Sequence, residues 1–86
     1  MELKNPLREK IGEEMYLHEF TNKLVGTNNY LFLTISKTKR GKKEVYYTSS
    51  SVIQRQVTEF NNLPVHVELI QGSGRKGRWF AFRLLS

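Results

Sequence analysis

The sequence predicts an α+β fold, a four-stranded, mainly antiparallel sheet of two hairpins with a helix packed on one face. Apolar residues recur at helical spacing over residues 1–26, change to a period of two from Asn29, and return to helical spacing before Pro64. The predicted order is therefore α-β-β-α-β-β, with an N-terminal helical segment over 1–26 and a ββαββ core over 29–84. A chain of 86 residues buries only about 60–65% of its unfolded surface. We therefore expect one domain over residues 1–86.

The first helix is predicted from its start signal and its apolar stripe. Asn5 can cap a helix, and Pro6 suits the first helical position. Tyr16, Leu17, Phe20 and Leu24 follow at i, i+1, i+4 and i+8, which makes an apolar stripe. Gly12 interrupts the segment, so it is expected to form either two shorter helices or one kinked helix. The sequence leaves open whether this helix covers one face of the sheet.

Four strands are predicted from alternation of side chains. "NYLFLTISKT" and "EVYYTS" form a hairpin around "KRGK", and "VHVELI" and "RWFAFRLL" form another around "GSGRKG". Each strand then divides into an inward, apolar set and an outward, mixed set. The inward set is predicted to be Leu31, Leu33, Ile35, Val45, Tyr47, Val65, Val67, Leu69, Phe80, Phe82 and Leu84. The outward set is Tyr30, Phe32, Thr34, Ser36, Glu44, Tyr46, Thr48, His66, Glu68, Ile70, Trp79, Ala81 and Arg83.

The second helix is predicted between the two hairpins. Ile53, Val57 and Phe60 fall at i, i+4 and i+7 and make one apolar face. Ser51 and Gln54 have the spacing of a capping box at its start. This helix is the expected cover for the inward face of the sheet.

The charge distribution favours a polyanionic partner. The chain has 14 Lys and Arg against 8 acidic residues, a net charge of +6. Such a field attracts nucleic acid through steering and counterion release. Aromatic side chains on the outward face, bordered by basic loops, suit the stacking of unpaired bases. We therefore expect a small non-enzymatic nucleic-acid-binding protein that prefers single-stranded DNA or RNA to duplex.

The expected binding residues divide by their chemistry into rings that stack on bases and cations that hold phosphates. The stacking residues are predicted to be Tyr30, Phe32, Tyr46 and Trp79. The phosphate-binding residues are predicted to be Lys39, Arg40, Lys42, Lys43, Arg75, Lys76, Arg78 and Arg83.

Two other functions fit the same sequence. The basic hairpins could act as wings of a duplex-DNA regulator, with Gln54, Arg55 and Gln56 reading base edges. The helix is short, however, and the predicted order lacks the helix-turn-helix pair that usually precedes such a wing. Alternatively, the aromatic face is a protein interface, in a homodimer or in a small accessory factor of a phage, plasmid or archaeal system.

Catalysis, metal binding and membrane insertion have little support in the sequence. The chain has no Cys and no Asp, and its only His residues are His18 and His66, so no cofactor or metal site is expected. No segment has the apolar length of a signal peptide or a membrane span. We therefore expect a cytoplasmic protein without a membrane partner.

Overall fold

The computed structural model describes residues 4–75 and 77–85. It contains a five-stranded antiparallel sheet with strand order β3-β2-β1-β4-β5, one α-helix and one 3-10 helix. The α+β class is confirmed, whereas the four-stranded sheet and the α-β-β-α-β-β order are wrong. The elements are the 3-10 helix Leu7–Lys10, β1 Glu14–Val25, β2 Asn28–Ser36, β3 Lys43–Thr48, α1 Ser51–Val57, β4 Val65–Gly74 and β5 Gly77–Leu84.

The predicted N-terminal helix over residues 1–26 is wrong, because Glu14–Val25 forms the central strand β1. Its pairing with β2 shifts between Leu17 and Glu19, which leaves His18 as the extra residue of a β-bulge. An extra residue reverses the alternation of the strand, so Leu17 and Phe20 both face the core although they are three residues apart. This spacing of three is also the spacing that predicts a helix.

The segment before β1 is extended and then turns once. Asn5 does not cap a helix: its backbone carbonyl accepts a hydrogen bond of 3.1 Å from the Tyr47 amide. Pro6 forms a bridge to Tyr47 at the outer edge of β3. The 3-10 helix follows, and its Leu7 is 2% exposed in the core. The N-terminal segment therefore covers part of one sheet edge and contributes to the core.

The core lies on one face of the sheet, under the two helical elements. Leu7 of the 3-10 helix and Ile53 and Val57 of α1 belong to the same cluster as the inward residues of the strands. Burial of such side chains supplies about 1.5–3 kcal/mol each. The buried cluster comprises Leu7, Met15, Leu17, Leu31, Leu33, Ile35, Tyr46, Ile53, Val57, Val65, Val67, Leu69 and Phe82.

The prediction of which β3 side chains face the core is wrong. Tyr46 and Thr48 face the core, with 7% and 9% exposure, and Val45 is 50% exposed on the opposite face. Tyr46 lies opposite Leu33 in the ladder, which fixes its side of the sheet. Val45, Tyr46 and Tyr47 are all good strand residues, so alternation alone cannot decide which of them point inward.

Helix α1 is shorter than predicted, and its N-cap lies one residue before the predicted one. Ser50, instead of the predicted Ser51, is the N-cap, and its hydroxyl accepts a hydrogen bond of 3.4 Å from the Ile53 amide. The helix ends at Val57, and Phe60 beyond it still packs against the core. In residues 4–75 and 77–85, no helix has the length and apolar character required to cross a bilayer.

Helix α1 also covers the edge of β5. The Gln56 side chain accepts a hydrogen bond of 2.7 Å from the Phe82 amide and donates one of 3.0 Å to the Phe82 carbonyl. These are the bonds that a further strand would make at this position. A covered edge resists pairing with another chain.

The sheet curls, and its two edge strands approach each other. β1 pairs with β4 only over Glu14–Leu17, while the β4–β5 ladder continues to the pair Gly74 and Gly77. The residues at the end of β3 and Arg78–Phe80 of β5 line one cavity. No ladder joins β3 to β5 in the described chain, so the sheet has the form of a partly open barrel.

Gln56→Ala should lower the free energy of unfolding by about 1–3 kcal/mol, because the Phe82 amide and carbonyl lose their partner. Urea denaturation measures the change. Gln54→Ala is the matched control, since Gln54 is on the same helix, is also half-buried and has no side-chain bond to β5 in the described chain. Equal losses in the two variants would contradict the edge-covering role of Gln56.

Candidate nucleic-acid interface

The candidate interface is the outer face, the sheet surface opposite α1 and the 3-10 helix. Both helical elements place their buried residues in the core cluster, so neither covers this surface. The predicted N-terminal helix, which could have covered it, is strand β1. The outer face carries Tyr16, Thr21, Lys23, Tyr30, Phe32, Thr34, Val45, Tyr47, His66, Glu68, Ile70, Trp79 and Arg83.

Three aromatic side chains meet on the outer face, and we call Tyr30, Phe32 and Tyr47 the aromatic patch. Phe32 of β2 lies directly opposite Tyr47 of β3, with ring centroids 6.4 Å apart. Tyr30 meets Tyr47 edge to face, at 5.7 Å and 87°. All three are half-buried, so each packs on its neighbours and keeps part of its surface in solvent. The patch therefore offers ring surface without needing a rearrangement.

The structure changes which tyrosine belongs to the predicted stacking set. Tyr30 and Phe32 are on the outer face as predicted, but Tyr46 is in the core and Tyr47 takes the outward position. Because Tyr46 is 7% exposed, it has no ring surface for a base. The adjacent tyrosines give no sequence signal that separates them, and only the register with β2 does so.

An open depression lies beside the aromatic patch. It has a volume of ≈ 470 Å³ and is lined by Phe32, by the exposed Val45 and by polar residues of β1. Lys23 lies opposite Tyr30 in the ladder and places a cation at one side. Glu19 contributes a carboxylate to the lining. The depression thus combines apolar surface with one charge of each sign.

The turn between β2 and β3 carries most of the cations near the patch. We call residues 37–43 the basic turn, and all of its Lys and Arg side chains are exposed. None of them forms an ion pair within the part of the chain that the structure describes. Lys43 lies opposite Ser36, four residues along β2 from Phe32, which is about 13 Å at strand spacing. The cations of this turn are Lys37, Lys39, Arg40, Lys42 and Lys43.

Side-chain hydrogen bonds connect the β1 bulge to the start of the basic turn. His18 Nε2 lies 2.6 Å from the Ser36 hydroxyl, and that hydroxyl donates to the Thr38 carbonyl. Since the hydroxyl proton is used on Thr38, Nε2 carries the proton and donates to Ser36. Burial, followed by the charge of Lys43, lowers the pKa of His18. His18 is therefore neutral at pH 7 and holds the turn through hydrogen bonds.

The tip of the β4–β5 hairpin carries a second group of predicted residues. Arg75 and Arg78 are exposed there, and Lys76 lies outside the described residues. The Trp79 indole lies across Gly72, where an added Cβ would come within 2.1 Å of Cζ2. Trp79 is 41% exposed, so Gly72 supports one side of a ring that remains accessible.

The remaining part of the outer face is occupied by paired charges. Arg83, a predicted phosphate ligand, forms an ion pair with Glu68. Tyr16 stacks on His66 at 4.5 Å, and His66 Nε2 lies 3.2 Å from a Glu14 carboxylate oxygen. Glu14 and Glu68 disfavour a phosphate in this region. The aromatic patch and the basic turn are therefore the better place for a polyanion.

The titratable side chains of the outer face include the pairs His66–Glu14 and Arg83–Glu68, with Glu14 opposite Glu68 in the ladder. Across residues 4–75 and 77–85, no group of three or more His, Cys, Asp or Glu side chains could hold a metal ion. The pairs that involve Glu14 and Glu68 lie on the sheet surface, whereas a catalytic acid and base need a concave site for the reacting atom.

Comparison with known proteins identifies no relative, so the geometry of the outer face is the basis for a functional proposal. No protein-family model, no curated protein and no solved structure matches the chain. The predicted residues that the structure brings together are Tyr30 and Phe32 in the aromatic patch, and Arg75, Arg78 and Trp79 at the second hairpin.

The pH dependence of folding stability should reveal the contribution of neutral His18. Its folded pKa is below the ordinary value of 6.5, so the unfolded chain takes up the proton first as the pH falls. Stability should therefore decrease below about pH 6.5 and the His18 contribution should be fully lost below the folded pKa. Thermal unfolding between neutral and mildly acidic pH measures this, and His18→Gln should flatten the profile, because Gln keeps an N–H donor without titrating. Parallel profiles would contradict the role of His18.

Gly72→Ala should displace the Trp79 ring, because the new Cβ would overlap the indole. The chain has 1 Trp, so its fluorescence reports this ring alone. We expect a red-shifted emission and stronger quenching by acrylamide. Gly74→Ala is the matched control, since its Cβ would lie 3.6 Å from the nearest Trp79 atom, an ordinary contact. An unchanged spectrum in Gly72→Ala would show that the ring does not rest on Gly72.

Proposed function

We propose that this protein binds single-stranded DNA or RNA on the outer face of β2 and β3 and catalyses no reaction. The observation that carries the proposal is the aromatic patch of Tyr30, Phe32 and Tyr47 beside a basic turn whose cations are exposed. Bases stack on the patch, and the turn and the β4–β5 hairpin tip hold phosphates. Cytoplasmic location is part of the proposal, because a chain with no Cys has no disulfide that would require an oxidising compartment.

The arrangement favours a single strand over a duplex. Ring surfaces can stack only on bases that are themselves unstacked, and each such contact supplies about 1–3 kcal/mol. The phosphates of a flexible strand can then follow the sheet from the patch to the basic turn. Each neutralised phosphate of a single strand adds about 0.7 to the salt dependence of binding. Stacking thus supplies affinity that persists in salt, and the cations supply affinity that salt weakens.

The topology supports the same proposal by analogy. In the OB-fold, a five-stranded, partly open Greek-key barrel, the surface of strands 2 and 3 binds oligonucleotides or oligosaccharides. Here β1 lies between β2 and β4, and α1 connects β3 to β4 in a partly open barrel. The likeness is one of connectivity and identifies no binding residue, so the aromatic patch and the free cations carry the proposal.

Duplex reading by α1 has less support than single-strand binding. The helix Ser51–Val57 has 7 residues, and its Gln56 side chain is bonded to the backbone of Phe82. Only the opposite side of a short helix then remains for base edges. A reading helix in the major groove usually presents several side chains from a longer helix.

A homodimer through the outer face is the other alternative. Val45, Phe32 and Tyr47 would provide apolar surface for it. Each copy carries a net charge of +6, and the basic turn adjoins this surface, so two copies would bring like charges together. The charge favours a polyanion over a second copy.

Phe32→Leu and Tyr47→Leu should each weaken binding of an oligothymidylate by roughly 5- to 150-fold, the equivalent of one stacked base. Leucine keeps apolar volume but removes the ring face, so the dependence of affinity on salt should not change. Fluorescence anisotropy of a labelled oligonucleotide at several salt concentrations measures both quantities. Parent-like affinity in both variants would refute stacking on the patch.

Two further variants complete this test. Lys42→Ala should reduce the slope of log affinity against log salt by about 0.7, because one phosphate contact is lost. Tyr46→Phe is the control for the tyrosine assignment: its ring is in the core, so binding should remain that of the parent. Weaker binding by Tyr46→Phe than by Tyr47→Leu would reverse that assignment.

A further inference from the structure

A second concave site lies where the two edge strands approach each other. We call it the edge cleft: it is bounded by the 3-10 helix, the residues that follow β3, and the start of β5. Its volume is ≈ 330 Å³, near the lower end of the range of about 300–1,000 Å³ that is usual for small-molecule sites. The cleft is therefore large enough for one small ligand but not for an extended chain.

The edge cleft has the charge expected of an anion site. Arg8 from the 3-10 helix and Arg78 from β5 line it, and the residues lining it include no Asp or Glu. Within the described part of the chain, neither arginine is paired with a carboxylate. Ser49 and Ser51 add exposed hydroxyl groups at the same cleft. Two guanidinium groups from separate elements can bind one phosphate with directed hydrogen bonds.

Residues with aromatic side chains also line the edge cleft. Tyr47, Trp79 and Phe80 contribute to its lining. On β5, Arg78 and Phe80 alternate with Trp79, so Arg78 lies on the same side of the strand as the half-buried Phe80. The cleft thus combines cations for a phosphate with apolar surface for a base or a sugar, which are the parts of a nucleotide.

The cleft is continuous with the aromatic patch through β3. Lys43 begins this strand at the basic turn, and Tyr47, four residues later, belongs both to the patch and to the lining of the cleft. The distance between these two positions is about 13 Å at strand spacing. A nucleic-acid strand that follows β3 from the basic turn therefore reaches the edge cleft directly after the patch.

We propose that the edge cleft binds one nucleotide of the bound strand, with its phosphate between Arg8 and Arg78. This inference rests on the proposed function, and it adds a defined end point to the path of the strand. Recognition comes from the two arginines and the aromatic residues of the cleft. The short helix α1 contributes the serine hydroxyls at its start and no separate anion site.

The test uses thymidine monophosphate, thymidine and an oligothymidylate with the full chain. In nuclear magnetic resonance spectra, the monophosphate should shift the Trp79 indole N–H and the Arg8 side-chain N–H signals. Thymidine, which lacks the phosphate, should shift the Arg8 signal little. Arg8→Ala and Arg78→Ala should each abolish the shift that depends on phosphate, while circular dichroism checks that both variants are folded.

Oligothymidylate binding separates this inference from the proposed function. Arg8→Ala should weaken it several-fold and lower the salt slope by about 0.7, whereas Arg55→Ala, an exposed arginine of α1 outside the cleft, should change neither. Equal behaviour of Arg8→Ala and Arg55→Ala, with binding lost in Phe32→Leu, would overturn the cleft and keep the outer-face function. Monophosphate shifts at Arg8 without any oligothymidylate binding would refute the strand-binding function and keep the cleft as a mononucleotide site.

Discussion

The β-bulge at His18 is the constraint on which the rest of the structure depends. It reverses the side-chain alternation of β1, so that Leu17 and Phe20 both reach the core from one strand. A bulge also bends a strand and increases its twist, which allows a five-stranded sheet to curl towards a barrel. The curl brings the ends of β3 and β5 to one cavity.

The covered edges of the sheet leave its outer face as the surface for a partner. At β3 the backbone of Asn5 bonds to Tyr47, and at β5 the Gln56 side chain bonds to both polar backbone groups of Phe82. Another chain cannot extend the sheet at these two positions. A partner that approaches the described residues there meets side chains and not free backbone. Aromatic rings and exposed cations are then the groups that the described surface offers, and they suit the proposed nucleic-acid ligand better than a further strand.

The sequence predicts those parts of the fold that depend on local pattern. The strands β2 and β4 alternate regularly, and their inward residues are those found in the core. β5 departs from its predicted alternation: Leu84, predicted inward, is 59% exposed, and Ala81, predicted outward, is 8% exposed. The basic turn is equally local, because its composition alone exposes it. The errors in β1 and β3 come from pairing between strands. The bulge at His18 gives β1 an apolar spacing that imitates a helix, and the phase of Tyr46 and Tyr47 depends on their register with β2.

The errors in β1 and β3 alter the candidate site in different ways. Replacing the predicted helix by β1 uncovers the outer face, which makes the aromatic patch accessible. Exchanging Tyr46 for Tyr47 moves one ring of the site, and the new position has a contact that the old one lacked, since Tyr47 packs on both Tyr30 and Phe32. A patch of mutually packed rings loses little conformational freedom on binding, because its side chains are already restrained.

The distribution of charge over the outer face defines a path for the proposed nucleic-acid strand. The carboxylates of Glu14 and Glu68 lie on the β1–β4–β5 side, each with a cationic or titratable partner, and repel a phosphate that approaches them. Free cations lie at the start of β3 in the basic turn and beyond its end at Arg8 and Arg78. Both ends of β3 therefore attract phosphates, and in the proposed complex the rings between them hold bases. Because stacking weakens little in salt while phosphate contacts weaken strongly, the proposed complex depends on the rings for affinity in salt and on the cations for alignment along β3.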